Sequence, residues 1–410
     1  MNSNVINLLN QSLYYLRNEN LNSAEFLLKS ALKYDAKNAE VMRLLGVVYA
    51  KKDNYLEALA FFEKALKVDR QNGILCSNIG NVLQSLRRHQ EALAYYQKAI
   101  SLQPEYAEAY NNCGNALQEL KRHQEALNCY QKAFDVNSNV DFLLGSLVYT
   151  KMKICDWSNY SEDLECLSNN ILIGRKTTLP FQTIALYDSE EFALRAAITF
   201  GSRWLSSQYK FPTRQEKIGK IKIGYFSADF HNHATMYLMA EFFELHNHDK
   251  FEITAFSFGE GSSDESRSRL LASVDEFIDV KNLTTDQIVN LARDKGIDIA
   301  VDLKGYTEHS RPEVFFRRVA PIQLSYLGYP GGMGCKSMDY IMADRVVIPE
   351  SNQKYFLEKI IYLPHCYQVN DRTKKIADVK FSKSDLGLPE RAFVFCCFNN
   401  NYKITPSTLL

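Results

Sequence analysis

Gly46, Gly80 and Gly114 stand 34 residues apart, and two alanine series keep the same spacing: Ala24, Ala58, Ala92 and Ala126, then Ala31, Ala65, Ala99 and Ala133. Four residues beyond each alanine of the first series comes a bulky side chain: Leu28, Phe62, Tyr96 or Tyr130. The segment Arg88–Leu93 recurs as Arg122–Leu127. A period held at so many positions rules out a single conventional core over this stretch. Each unit is one small supersecondary element that buries its apolar side only against its neighbours.

A period of 34 with glycine, alanine, aromatic and alanine at these offsets is the tetratricopeptide pattern. The small residues belong where two helices of a hairpin cross closely, and the large one fills the adjoining hole. Residues 1–140 therefore predict about four helix pairs in an α-solenoid. The first pair has Ser12 where glycine is expected; Pro104 is a helix stop after the third, while Arg70 and Ser138 hold the equivalent places. Stacked pairs create a concave groove suited to protein or peptide partners. Asn78 and Asn112, each two residues before a glycine, are expected to face it. Their amides either hold the backbone of an extended peptide or simply cap and solvate helices. His89 and His123, being copies, read as surface repeat positions.

After Asn137 the period fails. Residues 141–215 read as a helical connector, with helices over Asp141–Cys155, Ser161–Asn169 and Ser189–Ser207 and a break at Pro180. From Lys220 strands and helices alternate: strands at Ile221–Ser227, Phe251–Phe258, Phe277–Val280, Ile297–Leu303 and Pro321–Gly328. Helices fall at Thr235–His246, Asp264–Ser273, Thr285–Lys295, with Thr285 as its cap, and Arg311–Arg318. Continuous apolar strands between helices predict a parallel sheet covered on both faces, a Rossmann-like α/β lobe spanning 216–388. Ligands of such sheets sit beyond the carboxyl ends of the strands. The loops to watch are Ser227–Thr235, Lys304–Ser310 and the glycine-rich Gly328–Gly334. In the first, a histidine beside a helix N-terminus suits an oxyanion or acid–base chemistry. The bland alternative is a helix capped by Asp229 or Thr235 with solvated histidines.

Composition narrows the function classes. Lys plus Arg and Asp plus Glu both number 48, a balance that argues against nucleic-acid and polybasic membrane-surface partners. No run approaches the ~18 apolar residues of a membrane span, and Met1–Gln11 lacks the form of a secretory signal. Nine scattered cysteines without a C-x-x-C pair fit reduced thiols in a cytoplasm. Neither His231/His233 nor His246/His248 gains a completing ligand from the sequence, so no metal is expected.

An ordered series of motifs runs through the second part of the chain: Lys151–Trp157, Gly224–His233, Asp302–Thr307, Arg311–Glu313, Ala320–Gln323, Tyr326–Gly331, Asp339–Ile341 and Leu363–Asp371. Behind a 34-residue array, this series resembles the protein O-GlcNAc transferase and SPINDLY family, glycosyltransferase family 41, in a bacterial form. The resemblance implies a two-lobed GT-B catalytic region. It also implies inverting transfer of a sugar from a nucleotide diphosphate, with UDP-GlcNAc the first choice, to Ser or Thr of proteins, with no metal cofactor. A fucosyl donor, as among SPINDLY-type relatives, and a non-catalytic scaffold with a degenerate catalytic half are the alternatives.

By the same resemblance His233 is the cleft histidine, acting as base or positioning residue, and Tyr329, Pro330 and Gly331 line the sugar site. Gly332 stands where the family usually has threonine. Lys403 corresponds to the lysine that neutralises the donor diphosphate, and Asn400 takes a place that holds glutamine in relatives. Residues 389–410 read as the start of a second, incomplete lobe, with Ala392–Phe398 as its first strand. On that reading the chain is truncated and transfers little or no sugar.

Overall fold

The computed structural model of the chain describes residues 3–204, 219–376 and 378–409. The chain divides into two compact units, Met1–Gln182 and Thr183–Leu410. Among the described residues no helix is long and apolar enough to cross a membrane.

The first unit is an α-solenoid of helix hairpins. Its first eight helices are α1 (Ser3–Arg17), α2 (Leu21–Tyr34), α3 (Ala39–Lys51), α4 (Tyr55–Val68), α5 (Gly73–Ser85), α6 (His89–Leu102), α7 (Ala107–Glu119) and α8 (His123–Val136). The repeat spacing has a direct steric origin. A Cβ added at Gly46, Gly80 or Gly114 would come within 2.6, 2.5 and 2.6 Å of the rings of Phe62, Tyr96 and Tyr130 respectively. The ring lies on the bare helix backbone, so the glycine and the aromatic must travel together. In the first hairpin the register sets Ser12 opposite the smaller Leu28, and both are fully buried. The Ser12 hydroxyl donates to Leu9 O at 2.7 Å, which satisfies it there.

Hairpin turns repeat as faithfully as the cores. Glu19, Asp53, Arg87 and Lys121 all adopt positive φ, one per hairpin turn. Asn20, Asn38, Asn54 and Asn72 cap the helices that follow through their side-chain oxygens. At Arg88 and Arg122 that cap is missing. There the guanidinium pairs with Glu91 or Glu125 in the first helical turn, at 2.6 to 2.7 Å.

Beyond the array come α9 (Leu143–Lys153), α10 (Tyr160–Leu172), α11 (Pro180–Leu186) and α12 (Glu190–Gly201). The helix expected over Ser189–Ser207 ends earlier, in a single 3-10 turn at Ser202–Trp204, and its last three residues lie outside the described ones. In the second unit the strands are β1 (Ile221–Ser227), β2 (Phe251–Ser257), β3 (Glu276–Asp279), β4 (Ile299–Asp302), β5 (Ile322–Ser325), β6 (Tyr340–Ala343) and β7 (Lys359–Tyr362). They form one sheet ordered β3-β2-β1-β4-β5-β6-β7. Every pairing is parallel. This is the Rossmann-like lobe expected from the alternation of apolar strands and helices.

The helices of this lobe are α13 (Ala234–Glu244), α14 (Glu265–Ser273), α15 (Thr285–Asp294) and the short α16 (Glu313–Phe316). Phe230, Met236, Met239 and Phe243 pack on β1, β2 and β4 through Tyr225, Ile253, Ala255 and Val301. Strand order reverses at β1: the chain builds outward through β2 and β3, then returns to place β4 on the other side. The carboxyl ends of β1 and β4 therefore diverge into a crevice, the usual ligand position of such sheets.

Two sequence expectations are corrected. Helix α15 is capped by Thr284, one residue before Thr285, in a capping box with Gln287. Its reciprocal bonds satisfy two helix-end donors, which a cap at Thr285 would leave open. Ala392–Phe398 forms no strand. A strand exists through its ladder, and no strand among the described residues pairs with this one. Phe393, Phe395 and Phe398 are accordingly exposed.

Candidate functional site

The site is built on the ends of β1 and β4. Strand β1 runs out at Ser227, and the loop Ala228–His233 leads into α13. Its course is pinned by bonds to α14: Asn232 N donates to Asp264 Oδ2 at 2.9 Å, and the Arg267 guanidinium donates to Phe230 O at 3.1 Å. This tethering places Asp229 beside the end of β4. There Lys304 Nζ lies 2.6 Å from Asp229 Oδ2, with both side chains almost fully buried. Thr235 Oγ1 also donates to Asp229 Oδ2, at 3.3 Å.

His233 caps α13. Its Nδ1 accepts from Thr235 N at 3.2 Å, while Asp229 Oδ2 stands 3.5 Å from the same nitrogen. A backbone N–H can only donate, so Nδ1 carries the lone pair and the neutral ring bears its proton on Nε2. Burial lowers the His233 pKa from its ordinary value; Asp229 opposes that shift and Lys304 adds to it. The ring is therefore neutral at pH 7. With 42% of its side chain exposed, it offers an N–H donor at the mouth of the crevice. His231 and His233 lie with ring centres 5.7 Å apart. Among the described residues of this lobe, no set of three His, Cys or carboxylate ligands comes together.

Asp302 ends β4 and organises the next loop. Its Oδ1 accepts from Lys304 N at 2.8 Å and Gly305 N at 3.0 Å, whereas Oδ2 is buried without a hydrogen-bond partner. Burial pushes its pKa up to about 6. Gly305 follows with φ of 54°, and a Cβ there would collide with Tyr329, so glycine is required twice over.

The loop after β5 is more enclosed than its glycine content suggests. Tyr329 is buried, its ring edge-on to Tyr306 with centroids 5.4 Å apart, and its hydroxyl has no partner. Tyr306 in turn donates to Met333 O at 2.8 Å. Pro330 is exposed, whereas Gly331 and Gly332 are buried. A Cβ at Gly331 would meet Ile184 at 2.8 Å and the Tyr329 hydroxyl at 2.9 Å. At Gly332 it would meet Glu358 Oε2 at 3.0 Å. A side chain at this position would thus press on the Glu358 carboxyl, which holds Met333 N at 2.6 Å through Oε1.

Asn400 and Lys403 belong to the last described stretch of the chain. Asn400 is exposed and precedes the single turn Asn401–Lys403. Lys403, also exposed, donates to Asn399 Oδ1 at 3.3 Å. In the solenoid, Asn78 and Asn112 are both half-buried. Asn112 Nδ2 donates to Asn81 Oδ1 at 2.9 Å, and that oxygen also accepts from the Tyr96 hydroxyl at 2.8 Å. One amide edge of Asn112 therefore ties neighbouring repeats together.

The sequence pointed to His233, the 329–332 loop and the loop beginning at Lys304, but gave Asp302 and Lys304 no role and offered no sign of Glu358. A usable signal existed for the first pair. Asp302 and Lys304 come directly after the apolar stretch Ile299–Val301, in a strand destined for the sheet centre, and cannot be solvated there without a partner.

Residues 204–382 match the model of glycosyl transferase family 41, and residues 15–77 and 71–139 match tetratricopeptide repeat models. The chain is 33% identical over 284 residues to a probable UDP-N-acetylglucosamine–peptide N-acetylglucosaminyltransferase SEC of Arabidopsis thaliana, covering 63% of this chain and 29% of that protein. It is 27% identical over 192 residues to a probable UDP-N-acetylglucosamine–peptide N-acetylglucosaminyltransferase SPINDLY of the same plant, covering 46% and 21%. A solved structure of a mutant Thermobaculum terrenum O-GlcNAc transferase aligns with a TM-score of 0.48 at 22% identity, covering 99% of this chain and 65% of that one. The chain spans less than a third of the length of these two plant relatives.

Proposed function

Since the chain belongs to the tetratricopeptide-bearing O-GlcNAc transferase and SPINDLY branch of glycosyl transferase family 41, we propose that it serves inverting transfer of a sugar from a nucleotide diphosphate to Ser or Thr of proteins. UDP-GlcNAc is the proposed donor, and the solenoid groove with Asn78 and Asn112 the proposed acceptor surface. The observation that carries this reading is the cluster of His233, Asp229 and Lys304 at the point where strand order reverses, inside the segment matching the family.

The residues divide the work by their chemistry. As the sugar–oxygen bond breaks, negative charge grows on the departing diphosphate, and a fixed cation stabilises it. Lys403 is proposed for that role, which makes a resident metal unnecessary. Lys304 is not available for it, because its charge is committed to Asp229 in a buried pair. His233 presents Nε2–H, so its proposed role is to donate a hydrogen bond that orients the donor or the attacking hydroxyl. A base would need a free lone pair on Nε2. That requires moving the proton to Nδ1, where it would oppose the Thr235 N–H.

The test is transfer by the complete gene product from UDP-GlcNAc to a Ser/Thr peptide, read as one added N-acetylhexosamine by mass. Transfer is expected from the native enzyme and is expected to fall at least tenfold in His233→Ala. Absence of transfer from both UDP-GlcNAc and GDP-fucose would remove the proposal, while transfer from GDP-fucose alone would reassign the donor.

A further inference from the structure

The array breaks its own pattern at one pair of positions. In the second and third hairpins, the residue before the repeat glycine and the residue before the repeat aromatic are Leu45 with Phe61 and Ile79 with Tyr95. In the fourth they are Cys113 with Cys129. Helices α7 and α8 cross closely there, with the Tyr130 ring lying on Gly114. The two sulfurs are consequently 3.4 Å apart. Both are free thiols, Cys113 buried and Cys129 partly exposed.

We propose that Cys113 and Cys129 are a reversible dithiol–disulfide pair, a modification site that staples the fourth hairpin when the thiol pool becomes oxidising. The inference stands on the contact of the two sulfurs and on their unequal exposure, and it does not depend on sugar transfer. A disulfide needs the sulfurs to close to about 2.05 Å. They start in van der Waals contact on two helices already held together by the Gly114–Tyr130 crossing.

The accessible Cys129 is the attacking thiol. Its hydrogen bond with Cys113 pulls its pKa down, while the same bond, and then burial, push Cys113 up. With oxidised glutathione as the oxidant, the Cys129 thiolate attacks one glutathione sulfur, forming a mixed disulfide and expelling one glutathione thiolate. Cys113 then attacks the Cys129 sulfur of that mixed disulfide and expels the second. Two protein thiols are oxidised, one glutathione disulfide is reduced to two thiols, and the two protein protons pass to the leaving thiolates. Such a bond suits a reducing compartment, where disulfides form and are undone in response to redox state.

The experiment treats the purified protein with oxidised glutathione, blocks remaining thiols with N-ethylmaleimide and maps peptides by mass. The expected result is one peptide pair joining Cys113 to Cys129, reversed by dithiothreitol and absent in Cys129→Ser. A rise of several degrees in the melting midpoint of the native chain should accompany it and be missing in the variant. Recovery of both cysteines as alkylated thiols, or as separate glutathione adducts, while the exposed Cys166 and Cys366 have reacted, would overturn the proposal.

Discussion

Lys304 and Asp229 close a buried ion pair of 2.6 Å across the ends of two adjacent parallel strands, at the point where the sheet reverses its building direction. Removing one partner leaves the other charged and desolvated. Lys304→Met should therefore cost about 3 kcal/mol of stability. The double variant Asp229→Asn/Lys304→Met should recover most of that loss. Chemical denaturation of the four members of the cycle measures it, and additive losses would mean that the two groups do not interact.

The charge state of Asp302 gives a pH dependence of known sign. Its pKa rises from 3.8 unfolded to about 6 folded. The folded state thus holds the proton more tightly, and the benefit is complete below pH 3.8 and lost as pH rises through 6. The contribution is about 3 kcal/mol over that window. In Asp302→Asn the segment of the stability profile between pH 4 and 6 should flatten, while the two backbone bonds to Oδ1 remain. A profile identical to the native one would show that Asp302 does not titrate there.

His233 is expected to be the Nε2–H tautomer. Nitrogen-15 spectra of the native protein at pH 7.5 should show the lone pair on Nδ1. In transfer assays His233→Gln, which keeps an amide donor but cannot act as a base near neutrality, should retain more activity than His233→Ala. Equal loss in both, together with an Nδ1–H tautomer, would assign the ring to proton abstraction instead.

The solenoid prediction concerns affinity rather than catalysis. Asn78→Ala/Asn112→Ala should weaken acceptor-peptide binding by about tenfold, the loss of one to two backbone-directed hydrogen bonds. Helical content should be unchanged by circular dichroism. The Asn112 contribution will carry some structural loss, because its amide also bonds Asn81 of the preceding repeat. Unchanged affinity in the folded double variant would remove these residues from the groove.

How far the sequence could be read depended on the range of the interactions involved. The array was legible because glycine and aromatic contact each other inside one hairpin, so Gly80 and Tyr96 leave a trace at fixed spacing. The sheet was legible from apolar stretches such as Ile299–Val301, alternating with helical segments. By contrast, Asp229 meets Lys304 across 75 residues, and Glu358 reaches Met333 N across 25. No local pattern records such a meeting. His233 was noticed as a candidate, but its cap, and hence its tautomer, follows from one backbone bond that only the fold defines. The strand expected at Ala392–Phe398 failed for a related reason. Its apolar residues carry β propensity, but propensity without a pairing neighbour makes no ladder.

The most direct measurement of the central reaction is the configuration of the transferred sugar. Proton NMR of a product peptide, made by the complete gene product from α-linked UDP-GlcNAc, reads the anomeric coupling at the modified Ser or Thr. A β-linked GlcNAc is expected, since attack opposite the departing diphosphate inverts the centre. An α-linked product, or sugar found on any residue other than Ser or Thr, would contradict the proposed reaction.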